Sequence, residues 1–268
     1  TGCGKTFLAE TVARILDVPF FAADATQYSE TGYVGSDVEE MFRGLLKAAR
    51  SDPGQAAKGV IYIDEIDKIA ASRDNGKHNS TRDVSGESVQ EELLRAVEGG
   101  DHPLRQFDAK NVLFIAGGAF SKMAPKTGQS DQTTAIGFGR CQNQALKAGK
   151  TFKPSQSDFV DYGMLPELMG RFQVRLALEN LDKDSLRLIL TEPKNSIISQ
   201  YQYLFKANGI TLKFEDRVLD IIAERAESMK TGARGLKSAV EEILNPLMFQ
   251  HFGKGAEKRD LVISPAML

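Results

Sequence analysis

Gly59-Val60-Ile61-Tyr62-Ile63-Asp64-Glu65-Ile66-Asp67-Lys68 constrains the fold more than any other stretch of the chain. Its first residues form an unbroken apolar run, which reads as a strand buried on both faces of a parallel sheet. The run leads straight into adjacent carboxylates. Side chains alternate along a strand, so Asp64 and Glu65 leave its C-terminal end in different directions. In open α/β sheets that end is where ligands bind. Two carboxylates there suit phosphoryl chemistry, one acid holding a divalent cation and the next orienting an attacking water. The plainer alternative is a strand whose acids cap the following helix.

The opening residues carry the complementary half of such a site. Thr1-Gly2-Cys3-Gly4-Lys5-Thr6 reads as the second half of a phosphate loop. The full G-x-x-x-x-G-K-[ST] pattern needs a glycine one position before Thr1 and a strand before that. The sequence is therefore expected to be a fragment cut inside its own nucleotide site. Gly2 and Gly4 permit the tight backbone around Cys3 whose N–H groups face phosphate oxygens; Lys5 supplies a cation for the β- and γ-phosphates, and Thr6 a hydroxyl for Mg²⁺. Phe7–Leu16 has apolar residues at helical spacing, and that helix would point its N-terminus at the phosphates. Alone, the glycine-lysine-threonine run could be a chance turn. The amphipathic helix and acidic strand behind it argue against that.

Composition narrows the class. The chain has 268 residues, 41% hydrophobic and 26% charged, enough for one large or two compact domains. A net charge of −2 supplies no basic field for nucleic acid. Cys3 and Cys141 are isolated and the histidines are only His78, His102 and His251. Disulfide scaffolding and a zinc site are thus not expected, and a reducing compartment is. No apolar run approaches a membrane span and no signal peptide is seen, so a soluble intracellular chain is expected.

Pro19–Asp24 reads as a second strand and Asn111–Gly118 as a third. Thr31-Gly32-Tyr33-Val34-Gly35 sets an aromatic and a valine between glycines, either exposed on a hinge or folded back. Ser36 or Asp37 can cap the helix Val38–Ala49. A polar stretch, 72–81, reads as a surface loop. Arg82-Asp83-Val84-Ser85-Gly86-Glu87 then enters a long helix with Val89, Leu93, Leu94 and Val97 inward. Residues 121–153 set Lys122, Lys126, Arg140, Lys147, Lys150 and Lys153 against one acid, Asp131, and read as a solvated basic loop rather than a nucleic-acid site. Inside it Ile136-Gly137-Phe138 presents large apolar side chains on a glycine-flanked tip, either docking a partner or tucked against its own domain. Leu165–Phe172 reads as a helical turn feeding a further strand, Gln173–Leu178. Arg171 at that junction either projects beyond the domain or pairs with an acid.

Composition shifts near Leu181 to helical patterns with only short strands, Ile210–Phe214 and Leu261–Ser264. Thr231-Gly232-Ala233-Arg234-Gly235-Leu236 opens the last long helix. A cation in its first turn opposes the helix dipole, so Arg234 calls for an anion or a neighbouring acid.

In this order, these segments resemble the ATPase part of the ClpX family of AAA+ unfoldases, which feed a barrel peptidase. The likeness covers essentially the whole chain, through Gly32–Gly35, Ile61–Lys68, Arg82–Glu87, Ile136–Phe138, Pro166–Arg171 and Thr231–Leu236. The HslU family is similar at the first two but is not expected to carry the Ile-Gly-Phe loop. The resemblance implies an α/β P-loop NTPase sheet flanked by helices over 1–180 and a smaller, mainly helical domain over 181–268. It implies a homohexamer with ATP and Mg²⁺ at the seams, in a bacterial cytoplasm or a mitochondrial matrix. Gly2, Cys3, Gly4, Lys5, Thr6 and Asp64 would hold nucleotide and metal, and Glu65 would polarise water. Arg171 would be an arginine finger and Arg234 a sensor. Tyr33, Val34 and Arg82 would belong to pore loops gripping unfolded or tagged proteins. Ile136, Gly137 and Phe138 would dock on a ClpP-type peptidase. Neither nucleic acid nor membrane is implied. No match to the family's zinc-binding module is expected within these 268 residues, the segment 99–102 is short, and Ala116-Gly117-Gly118 offers no polar sensor side chain. A docking module that does no nucleotide work, and a nucleic-acid-dependent ATPase, are the alternatives.

Overall fold

The computed structural model describes residues 2–28, 38–71, 84–99, 107–121, 123, 154–252 and 259–267. Contacts divide the chain into two compact units, Lys5–Ala177 and Leu178–Leu268 with Thr1–Gly4. The first contains helices α1 (Lys5–Ile15), α2 (Glu40–Ala48), α3 (Pro53–Ala56), α4 (Val84–Val97), α5 (Gln156–Tyr162) and α6 (Pro166–Arg171). They accompany a parallel sheet, ordered β1 (Phe20–Asp24), β2 (Val60–Asp64), β3 (Leu113–Ala116).

The acidic strand is the centre of that sheet. Val60, Ile61, Tyr62 and Ile63 are all buried, as a strand covered on both faces must be. Its register sets Asp24 beside Asp64 on one side and Ala116 beside Ile63 on the other. Helix α2 covers the sheet with Met41, Phe42 and Leu45, and α4 contributes Val89, Leu93 and Ala96 to the same core. Helix α2 begins later than its pattern predicts: its N-cap is Glu39, which makes no side-chain capping bond. Ser36 and Asp37 lie outside the described residues.

The strand expected over Gln173–Leu178 does not form. Residues 172–182 carry no regular structure, and Val174 and Leu176 are 80% and 79% exposed. Alternating apolar residues fit a strand only where a sheet edge offers hydrogen bonds. Among the described residues no strand pairs with this segment.

The second unit is mainly helical, as its spacing predicts. It contains α7 (Lys183–Thr191), α8 (Ile197–Ala207), α9 (Asp216–Ser228) and α10 (Ala233–His251), with a parallel pair, β4 (Ile210–Phe214) and β5 (Arg259–Ile263). Asp182 and Ser196 cap α7 and α8 by accepting from the backbone N–H of Ser185 and Ser199. Leu186, Leu190, Phe205, Ile222, Leu236, Val240 and Leu244 are fully buried in a core belonging to this unit alone.

Candidate functional site

At the C-terminal end of β2 the two carboxylates part company. Asp64 is half-buried and turns toward α1, where Thr6 Oγ1 donates to Asp64 Oδ2 at 3.0 Å. Its other oxygen, Oδ1, accepts from the Tyr62 hydroxyl at 3.2 Å and the Glu65 backbone N–H at 3.0 Å. Burial first, and then the Asp64 charge, push the Tyr62 pKa up to about 12, against a Thr6 hydrogen bond that lowers it. The phenol therefore stays a donor at neutral pH. Gly117 makes room for it: a Cβ there would stand 2.0 Å from the Tyr62 hydroxyl oxygen.

Glu65 faces solvent from a left-handed backbone, φ 56°, a conformation that costs most residues energy. It occupies the N-cap of the 3₁₀ turn Ile66–Ile69 but makes no capping bond, so the helix-cap alternative does not describe it. Asp67, inside that turn, is buried and accepts from the backbone N–H of Ala119 at 3.1 Å and Phe120 at 3.3 Å. Gly117, Gly118, Ala119 and Phe120, which follow β3, carry no polar side chain. A carboxylate from the acidic turn holds their backbone instead.

Lys5 opens α1, whose first turn contains no acid. A cation placed there opposes the helix dipole and favours an anion beside it. The Thr6 hydroxyl and Asp64 carboxylate are hard oxygen donors of the kind magnesium prefers, so these residues fit a magnesium-bound phosphate chain. Among the described residues, no cluster of three or more His, Cys, Asp or Glu forms a dedicated metal cage.

In the second unit, Gly2 has φ +73° and its carbonyl accepts from Ala233 N at 3.0 Å. A Cβ on Gly2 would stand 2.1 Å from the Thr231 carbonyl oxygen, so only glycine fits against the start of α10. Gly4 has φ +83° and open space around it. Cys3 lines a cavity of about 440 Å³ with Leu181, Leu186, Glu227 and Lys230. Arg234 is exposed in the first turn of α10, which contains no acid, and among the described residues it has no ion-pair partner.

Family comparison matches residues 1–175 to the AAA domain (Cdc48 subfamily) and residues 181–262 to the C-terminal, D2-small domain, of ClpB protein. The chain is 43% identical over 265 residues to the ClpX ATP-binding subunit of the ATP-dependent Clp protease from Bacteroides thetaiotaomicron, covering 93% of this chain and 64% of that protein. It is 41% identical over 281 residues to its namesake in Porphyromonas gingivalis, covering 99% and 67%. A protein named ClpX 2 in Wolinella succinogenes is 44% identical over 263 residues, covering 93% and 64%.

The chain belongs to the ClpX family of AAA proteins.

ClpX membership makes nucleotide binding the coarse expectation for the acidic strand and the Lys5–Thr6 turn. The chain spans 64–67% of the length of these ClpX relatives. Several residues that the ClpX resemblance singles out, namely Tyr33, Val34, Arg82, Ile136, Gly137 and Phe138, lie outside the described residues. The described helices include none long and apolar enough to cross a membrane.

Arg171 ends α6 and forms an ion pair with Glu98, just beyond α4, both side chains partly exposed. The pairing anticipated for a surface arginine is therefore present in the single chain. Sequence reasoning missed Glu98, Tyr62, Asp67 and Gln90. Tyr62 was hidden in an apolar run, where a polar tip shows no periodic signal. Asp67 was visible as the third acid of the acidic segment, but its target, the backbone after β3, is distant in sequence.

Proposed function

We propose that the complete protein is an ATP-driven unfoldase that pulls polypeptides through a homohexameric ring into a ClpP-type peptidase. The observation that carries this reading is the Thr6–Asp64 hydrogen bond at 3.0 Å, with Glu65 exposed beside it. Thr6 and Asp64 would hold Mg²⁺, which when bound would supply charge neutralisation to the phosphate chain.

The chain's own residues do the rest. Gly2, Cys3 and Gly4 offer backbone N–H groups to the phosphates. Lys5 holds the β- and γ-phosphates, and Thr6 and Asp64 contribute metal oxygens. Glu65, exposed at a left-handed bend and making no capping bond, orients the attacking water. Arg171 leaves Glu98 to reach the neighbouring subunit's γ-phosphate, an element worth about 10³–10⁵ in rate in other NTPases. Arg234 reads the nucleotide from the small domain, 181–268, against the large one, 1–180. Tyr33, Val34 and Arg82 grip unfolded or tagged proteins in the pore. Ile136, Gly137 and Phe138 dock on the peptidase. This activity belongs in a bacterial cytoplasm or a mitochondrial matrix, with no nucleic acid or membrane involved.

The test uses the full-length protein. Glu65→Gln is expected to bind Mg-ATP with unchanged affinity by calorimetry while phosphate release stops; undiminished turnover would overturn the assignment. Tyr33→Ala should keep ATP hydrolysis within about twofold of the parent while translocation of a folded substrate fails. Equal unfolding rates would remove the pore-loop role.

A further inference from the structure

Gln90 lies within α4 and is completely buried. Its amide bonds to two separate segments, the acidic turn and the short connection 163–165 between α5 and α6. Nε2 donates to the Ile69 carbonyl at 2.8 Å, at the end of the acidic turn, and to the Gly163 carbonyl at 3.3 Å, just after α5. Oε1 accepts at 2.8 Å from the backbone N–H of Leu165, the N-cap of α6. Both amide hydrogens and the acceptor are therefore used.

The seam around this amide admits no slack. Ala71 N donates to the Gly163 carbonyl at 3.0 Å. A Cβ on Gly163 would stand 2.3 Å from the Ala71 carbonyl oxygen, and one on Gly86 would stand 2.9 Å from that of Ile69. A leucine or methionine could fill the same volume without the desolvation that a buried amide suffers. A fully partnered buried polar group instead fixes one arrangement of the segments it joins.

Helix α6 is thus held to α4 at two points. Its start is held by Gln90 in the core, and its end by the Glu98–Arg171 pair at the surface. Leu93 and Leu168 are fully buried in the same core. The outer point is exposed and weak, and yields readily to a competing anion. The inner one is dry and directional. We infer that Gln90 is the positioning residue for Arg171, a buried amide that fixes the helix bearing the arginine to the turn that follows Asp64 and Glu65. Arg171 can then exchange Glu98 for another anion while its helix stays in place. This inference rests on the reading of Arg171 as an arginine finger supplied to a neighbouring subunit.

The test exploits that division of labour between subunits. Full-length Gln90→Met is expected to bind ATP within about twofold of the parent and to turn over about tenfold more slowly. Subunits of this variant are then mixed with Glu65→Gln subunits, which cannot hydrolyse but present an intact Arg171. Turnover per Gln90→Met subunit should rise severalfold, measured against unsubstituted subunits mixed in the same way, because the neighbour now supplies a well-placed arginine. No rise on mixing would overturn the inference, since the amide would then act on its own acidic turn. Unchanged turnover of Gln90→Met alone would overturn it as well. If Gln90→Met does not fold, Gln90→Glu, which keeps the acceptor for Leu165 N–H, is read the same way. The underlying reading fails separately and visibly: Arg171→Ala would keep full turnover in an unmixed ring, which also removes the inference.

Discussion

At the scale of single residues, the site depends on how Asp64 is held. Its two oxygens accept from Thr6, Tyr62 and the Glu65 backbone, so the carboxylate is oriented without any bound ion. Tyr62→Phe removes one of these donors and leaves the ring's packing in place. Loss of such a hydrogen bond should raise the magnesium concentration needed for tight ATP binding by roughly threefold to tenfold. Calorimetry at several magnesium concentrations measures it, with magnesium-free nucleotide binding unchanged. Gly117→Ala should destabilise the first unit by about 1–3 kcal/mol through overpacking against the phenol. Combining it with Tyr62→Phe should recover part of the lost thermal midpoint. The carboxylates and the Lys5–Thr6 turn were legible in the sequence because their residue types and spacing are set by local geometry. The phenol was not, since its role comes from a register that brings Gly117 and Thr6 to it from distant parts of the chain.

At the scale of elements, the helices were legible and one strand was not. Apolar spacing located α2, α4 and α7–α10 because each buries one face, which the sequence repeats at helical period. Gln173–Leu178 has the right alternation, but pairing is a relation between segments and no single segment encodes it. The α4–α6 seam teaches the same lesson, since Gln90 looks like an ordinary polar residue in a helical pattern. At its outer end, Glu98→Gln removes the surface pair with Arg171. Exposed pairs contribute about 0.2–1 kcal/mol, so the thermal midpoint should fall by no more than a few degrees. On the finger role proposed for Arg171, an arginine freed of its resting partner should reach the neighbouring nucleotide more easily, and full-length Glu98→Gln is expected to hydrolyse ATP at least as fast as the parent. A turnover fall of tenfold or more would mean that Glu98 assists the arginine and does not merely hold it.

At the scale of the whole molecule, two separate cores divide the consequences of alkali. Tyr28 and Tyr62 both belong to the first unit, and burial is the first cause raising each from 10.0 to about 12. A phenol whose folded pKa is raised binds its proton more tightly in the folded state. Its stabilising contribution is fully present below pH 10.0 and is lost as pH rises toward 12. In the second unit Tyr201 is raised as well, first by burial and then by the Glu241 charge, while in the first unit Tyr162 joins Tyr28 and Tyr62, raised first by burial. Thermal melts between these limits should show the first unit losing stability more steeply than the second. Coincident losses would show that the two cores do not unfold independently. That a mainly helical part follows the sheet-bearing one was legible from the helical spacing of the later segments.

The left-handed bend at Glu65 has an implication for anyone who would make this protein sturdier. Glycine relaxes such a bend by about 1–2 kcal/mol, and an exposed glutamate gives up little buried surface on leaving. A screen that rewarded heat resistance alone would therefore be drawn to this position, and under the role proposed for Glu65 its winner would have exchanged water activation for durability.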